Sequence, residues 1–317
     1  MEKLNQSDFH ISYFTITGLS GLEDWASRMS LFTLLLLLYS TVLAENNLFL
    51  MVIIQDELLH SPMYLFIGNL ALIDLCLPSV IIPQIMHQLL WNDKTINFTS
   101  CVFQMGLYIC LNMTECFIFT AMAYDRYQAI CNPLHYPIIM TNRKSAKLGV
   151  FCWIPAIVIG FAHIWTVMTL NFCGPNDIFS YYCEHISIIK LSCSDVNIYS
   201  VFTLALAMIV ICSSMCFIFL TYLKILITVN KVASSEGSQK AFSTCVTHLI
   251  IIAVFLFGAG GVLLSSFITD NSVNVAVILG IFQNTFPPLI NPIIYCLKTK
   301  EIRISLLKAI RKNVFHN

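Results

Sequence analysis

Seven apolar runs alternate with short polar stretches along the chain, near Met29–Ile54, Met63–Leu90, Cys101–Met122, Leu148–Leu170, Ile198–Val229, Ala241–Ile268 and Val273–Leu297. Each is long enough to cross a hydrocarbon core as a helix, which takes about 20 residues. The interruptions, such as Gln55–Glu57, Trp91–Lys94, Ser234–Ser238 and Thr269–Ser272, read as loops and not as domain linkers. The pattern predicts an all-α membrane protein. Its expected parts are an extracellular N-terminus (1–28), a seven-transmembrane helix bundle (29–297) and a cytoplasmic tail (298–317). The first run is too long and too late for a cleaved signal peptide and reads as a signal anchor. In the tail, Ile302, Leu306 and Ile310 share a helical face, with Arg303, Lys308, Arg311 and Lys312 elsewhere. That predicts a short amphipathic helix on the inner leaflet. Cys296 beside it is either a palmitoylation site or a packing residue.

Composition agrees with lipid as the solvent: 57% of residues are hydrophobic and 11% charged, against about 25% charged in soluble domains. Formal net charge is zero, but its distribution is not even. With the N-terminus outside, the outer segments hold Lys3, Arg28, Lys94 and Lys190, and the other 13 of the 17 basic residues lie inside. Cytoplasmic loops collect Lys and Arg, so the bias predicts an N-out, C-in orientation. No outer basic face suggests a nucleic-acid partner. Sequons at Asn5 and Asn97 fall on the outer side, and a third, at Asn112, sits inside an apolar run where it would go unused. Of 13 cysteines, nine lie in or near helices and read as packing residues. Cys101, Cys173, Cys183 and Cys193 lie on the oxidising face, where four cysteines allow three pairings.

Ionisable groups in lipid are costly, so those that persist are functional candidates. Here they are Glu45, Asp74, Glu115 and Asp125 with Arg126. The stretch Met122-Ala-Tyr-Asp125-Arg126-Tyr127-Gln-Ala-Ile-Cys-Asn-Pro-Leu-His-Tyr136 resembles the third-helix signature of odorant receptors, in the rhodopsin-like G protein-coupled family. The likeness continues at Leu59-His-Ser-Pro-Met-Tyr64, at Lys240-Ala-Phe-Ser-Thr-Cys-Val-Thr-His248 and at Pro288-Leu-Ile-Asn-Pro-Ile-Ile-Tyr295. The four motifs stand in family order and spacing. Glu45 before Asn46 departs from the common Gly, and Gln128 from the common Val, which suggests a divergent branch. Phe257 stands where the family pattern has Tyr, so a mechanism needing that hydroxyl is in doubt.

The resemblance implies a plasma-membrane receptor that binds a small odorant from outside and activates a stimulatory, olfactory-type G protein, raising cyclic AMP. It assigns G protein contact to Arg126, held by Asp125 and followed by Tyr127, and a kinked seventh helix to Asn291 and Pro292. Tyr222 and Tyr295 would close behind the moving sixth helix, or are interface aromatics. It pairs Cys101 with Cys183 and Cys173 with Cys193. Asp74, Asn46, Glu115 and Asn291 would form a midplane cluster, either the family's sodium pocket or a purely hydrogen-bonded network. Apart from that ion no cofactor is expected.

The ligand pocket should open outward between the third, fifth, sixth and seventh helices. Met105, Tyr108, Ile109, Asn112 and Met113 share a face of the third, and Leu206, Ala207 and Val210 one of the fifth. Phe257, Gly260, Gly261 and Leu264 do so in the sixth, and Gly280, Ile281 and Asn284 in the seventh. Plain helix packing produces such stripes too. The run Gly258–Gly261 fits close helix approach or pocket room. No Lys or Arg lies in the outer halves of these helices, and Glu115 sits a turn deeper. A neutral, mainly apolar odorant is expected, although Glu184, His185 and Lys190 in the following loop are able to fold over the mouth. The rivals are a non-olfactory small-molecule receptor and a transporter or channel, though no internal repeat supports the latter. An enzyme is not expected. His163 and His248 stand isolated in the sequence and read as packing or hydrogen-bonding residues.

Overall fold

Helix starts are set by caps placed just outside the apolar runs. Asp24 accepts from Ser27 N at 2.7 Å and opens α1 (Trp25–Gln55). Asp56 ends it and caps a 3-10 turn, Glu57–Leu59. Pro62 begins α2 (Pro62–Trp91), which stops at Asn92 in the left-handed region (φ 55°). Asn97 caps α3 (Phe98–Cys131), accepting from Thr99 N. A short α4 (Tyr136–Ile139) leads to α5 (Asn142–Met168), capped by Thr141. After α6 (His185–Ile189) come α7 (Asn197–Lys231), the helical residues 248–256 as α8, α9 (Ser272–Lys298) and α10 (Lys300–Phe315). This computed structural model describes residues 11–19, 24–173, 175–194, 197–231, 246, 248–256, 258 and 272–315.

Among the described residues, α1, α2, α3, α5, α7 and α9 are long and apolar enough to cross a membrane. The expected sixth span, Ala241–Ile268, falls largely outside them; its described core, 248–256, is helical. The chain is an all-α, multi-pass membrane bundle. Polarity is inverted relative to a soluble fold: Asn46, Asp74, Glu115 and Asn291 are buried, while Leu37, Phe151, Phe161 and Phe219 are exposed on outward faces. α3 is central, packed on α2, α5 and α7, and α1 lies against α2 and α9. α10 turns its Ile302 inward, with Leu306 and Ala309 against the core, and leaves Leu307 and Arg303 exposed.

A small three-stranded sheet, which the apolar pattern does not predict, sits at one end of the bundle. Tyr13–Ile16 (β1) pairs antiparallel with Thr95–Asn97 (β2) and parallel with Asp177–Ile178 (β3). Phe14 and Ile16 are buried beneath it, Phe14 packing on Phe98 and Phe172. This small sheet ties the N-terminal segment to the loop that follows α5.

Candidate functional site

Three polar or hollow regions lie along the bundle, and α3 runs through all of them. At the sheet end, the disulfide Cys101–Cys183 pins the loop after α5 to the start of α3, and Cys173–Cys193 closes a loop within it. These are the pairings the resemblance implies. Gln104 reinforces the first, accepting from Cys183 N at 3.1 Å and donating to Val80 O of α2 at 2.9 Å.

Beneath this loop lies a cavity of about 170 Å³. Met105, Tyr108, Ile109 and Met113 of α3 line it, with Leu206 and Ala207 of α7, as the helical stripes predict. The stripes do not show the rest of the wall: Ile159 and His163 of α5, Thr203 of α7, and the loop from Tyr182 to Ile186. Asn112, Val210 and Asn284 are not on the wall. Asn112 turns its amide to Tyr108 O at 2.9 Å, a local bond that draws it off the cavity. Asn284 and Gly280 face Tyr181, whose ring fills the space between α9 and the loop; Asn284 Nδ2 donates to Tyr181 Oη at 3.1 Å. Tyr181, Tyr182 and Tyr108 form a run of ring contacts at 4.7 and 4.8 Å, which walls off the α9 side. Phe257, Gly260, Gly261 and Leu264 lie outside the described residues, as does the sequon Asn5. Gly258 is described and sits so close to Gln283 of α9 that a Cβ would overlap that side chain, a close helix approach. Asn97 is exposed at the end of β2.

His163 is not isolated. Its ring meets that of His185 edge to face, centroids 4.7 Å apart. Burial first, and then His163, push the His185 pKa down to about 3, so the ring is neutral at neutral pH. Glu184 brings a carboxylate to the wall, where it accepts from Ser187 Oγ at 2.8 Å. Lys190 is exposed and does not reach the cavity.

At mid-depth, Asn291 Nδ2 donates to Asp74 Oδ2 at 2.9 Å. Asn46 has another task. Pro292 has no N–H to give the carbonyl four residues back, and Asn46 Nδ2 donates to that carbonyl, Pro288 O, at 2.8 Å. Glu115 is buried within the electrostatic reach of Asp74, and the half-buried Glu45 lies within that reach too. Among the described residues no group of three His, Cys, Asp or Glu side chains is arranged to hold a metal ion.

At the opposite end, Arg126 Nε donates to Asp125 Oδ2 at 3.0 Å, forming an ion pair between neighbours. Asp125 Oδ1 accepts from Tyr136 Oη at 2.9 Å. Burial first, then the Asp125 charge, holds the Tyr136 hydroxyl above the usual tyrosine range, so it remains a donor. Tyr136 belongs to the third-helix motif, yet nothing in the motif assigned it this bond. Lys224 of α7 stands over the Tyr127 ring at 5.8 Å. Tyr222 and Tyr295 are both buried, and Tyr295 lies between Phe49 and His248, each centroid 6.2 Å away. His248, like His163, is therefore packed against another ring and is not isolated.

The family model described as "Olfactory receptor" matches residues 35–313. The human Olfactory receptor 2A12 is 36% identical over 91% of this chain and 93% of its own. The human Olfactory receptor 6B1 is 34% identical over 97% of both, and the human Putative olfactory receptor 1F12P 38% identical over 98% of this chain and 91% of its own. With a family model matched over residues 35–313 and relatives 34–38% identical over more than nine-tenths of the chain, the chain belongs to the olfactory-receptor family of G protein-coupled receptors.

Proposed function

We propose that this receptor binds a small, neutral, mainly apolar odorant from the extracellular side and activates a stimulatory, olfactory-type G protein, raising cyclic AMP. The observation that carries this reading is the cavity under the disulfide-pinned loop. Its wall is mostly apolar or aromatic, with Met105, Ile109, Met113, Ile159, Ile186 and Leu206 beside Tyr108 and Tyr182, and no Lys or Arg among the described lining residues. An unpaired ligand charge there would cost several kcal/mol. The reading includes seven spanning helices, an N-out plasma-membrane orientation, glycans on Asn5 and Asn97, and α10 on the inner leaflet. Arg126 then faces the cytoplasm, where leaving Asp125 would free it for the G protein.

Glu184 on the wall favours one second reading, an ammonium odorant. At mid-depth, Asp74, Glu115 and Asn46 Oδ1, a buried oxygen without a hydrogen-bond partner among the described residues, fit a sodium ion's need for oxygen donors. Asn291 would support that ion by fixing Asp74. The test is cyclic AMP in cells expressing the full chain, exposed to alcohols, aldehydes, acids and amines of matched length. A neutral compound as strongest agonist is expected. An acid or amine in that place, or ligand-evoked current without cyclic AMP, contradicts the reading.

A further inference from the structure

The histidine pair narrows the ligand class, given that the cavity is the ligand site. His163 Nδ1 lies 2.7 Å from Ile159 O. A carbonyl only accepts, so Nδ1 carries the proton, which in an uncharged imidazole leaves Nε2 as an acceptor. His185 is 7% exposed, and neither of its ring nitrogens has a hydrogen-bond partner among the described residues. A neutral imidazole holds one donor and one acceptor, and leaving both unmatched in a buried place is costly. Together the rings, 4.7 Å apart, hold two acceptors and one donor within the wall they share with Met105, Ile109 and Leu206.

We propose that a hydroxyl group held between His163 and His185 anchors the ligand, which makes the preferred odorants compact alcohols or phenols. A hydroxyl donates to one imidazole nitrogen and accepts from the His185 N–H. An aldehyde, ketone or ether only accepts, so it matches that N–H and leaves both lone pairs unmet. An ammonium only donates. A carboxylate only accepts and would also face Glu184. A cavity of about 170 Å³ lies below the ~300 Å³ at which drug-sized pockets begin, so the apolar body must be small.

The experiment uses cells expressing the full receptor, with surface density measured by antibody and cyclic AMP as the readout. The probes are 1-hexanol, hexanal, methyl pentyl ether, hexanoic acid and hexylamine, with cyclohexanol and phenol as compact members. The alcohols should be about tenfold or more as potent as the ether, the equivalent of one to two lost hydrogen bonds. His185→Phe should erase that advantage, His163→Phe should reduce it, and His185→Gln, which keeps a donor and an acceptor, should retain part of it. The Gln variant guards against a Phe variant that fails to reach the surface. Equal potency of alcohol and ether, or an advantage unchanged in His185→Phe, overturns the hydroxyl assignment alone. An acid or amine as strongest agonist overturns the neutral-ligand reading with it, and silence to every alcohol at normal surface density overturns the assignment outright.

Discussion

Tyr136 donates to Asp125 Oδ1 across 2.9 Å, on the carboxylate whose other oxygen pairs with Arg126. The bond ties the short α4 to the end of α3 and holds Asp125 in the orientation that occupies Arg126. A hydrogen bond to a buried charge contributes about 1.5 to 3 kcal/mol. If the pair keeps the receptor silent, Tyr136→Phe should raise ligand-independent cyclic AMP about five- to tenfold at matched surface density. Arg126→Ala should abolish the odorant response with surface expression largely intact. An unchanged basal signal in Tyr136→Phe would rule out the restraining role.

Asn46 compensates for Pro292 by giving Pro288 O a donor from another helix. Asn46→Leu should leave that carbonyl buried and unmet, at a cost of about 1 to 3 kcal/mol, and lower the melting temperature of purified receptor by several degrees. In Pro292→Ala the helix regains its own N–H, so the Asn46→Leu penalty should shrink there. Equal penalties in both backgrounds would show that the two residues are not coupled.

Much of this architecture is legible in the sequence, because apolar runs bounded by polar residues fix where a chain can lie in lipid. The run Met63–Leu90 falls within one residue of α2 at each end. The third run stops at Met122 while α3 continues to Cys131, since a helix ends at its cap and not where the lipid ends. The strands β1, β2 and β3 are too short for a periodic signal. His163 and His185 belong to different elements, and only the loop's path beneath Cys101–Cys183 brings them together. Asn284 lies off the cavity wall for the same reason, because Tyr181 of that loop stands against it.

Disulfide mapping of purified receptor should recover Cys101–Cys183 and Cys173–Cys193. Cys183 is itself on the cavity wall, so Cys101→Ser should remove the odorant response and most surface receptor. A Cys101–Cys173 peptide, or four free thiols, would contradict the pairing.

Gly160 lets α5 approach α3. A Cβ there would stand 2.8 Å from Gly106 O and 3.1 Å from Cys110 Cβ, and the nearer atom is backbone that cannot rotate away. Gly160→Val should therefore cost about 1 to 3 kcal/mol through overpacking and reduce surface density several-fold. Wild-type surface density in that variant would show that the two helices separate easily.

Acid should weaken the loop that roofs the cavity. His185 is buried against His163 of α5, beside Glu184 and Tyr182 of its own loop, and its pKa falls to about 3, against about 6.5 in an unfolded chain. Between those values the unfolded chain binds the proton and the folded one does not. The stabilisation is therefore complete above about pH 6.5 and declines as pH falls toward 3, by at most about 1.4 kcal/mol per unit. Melting of purified receptor should occur at lower temperature at about pH 5.5 than at about pH 7.5, and His185→Phe should lose part of that difference because it has no proton to take up. A wild-type acid shift retained in full by His185→Phe would place the acid sensitivity elsewhere in the molecule.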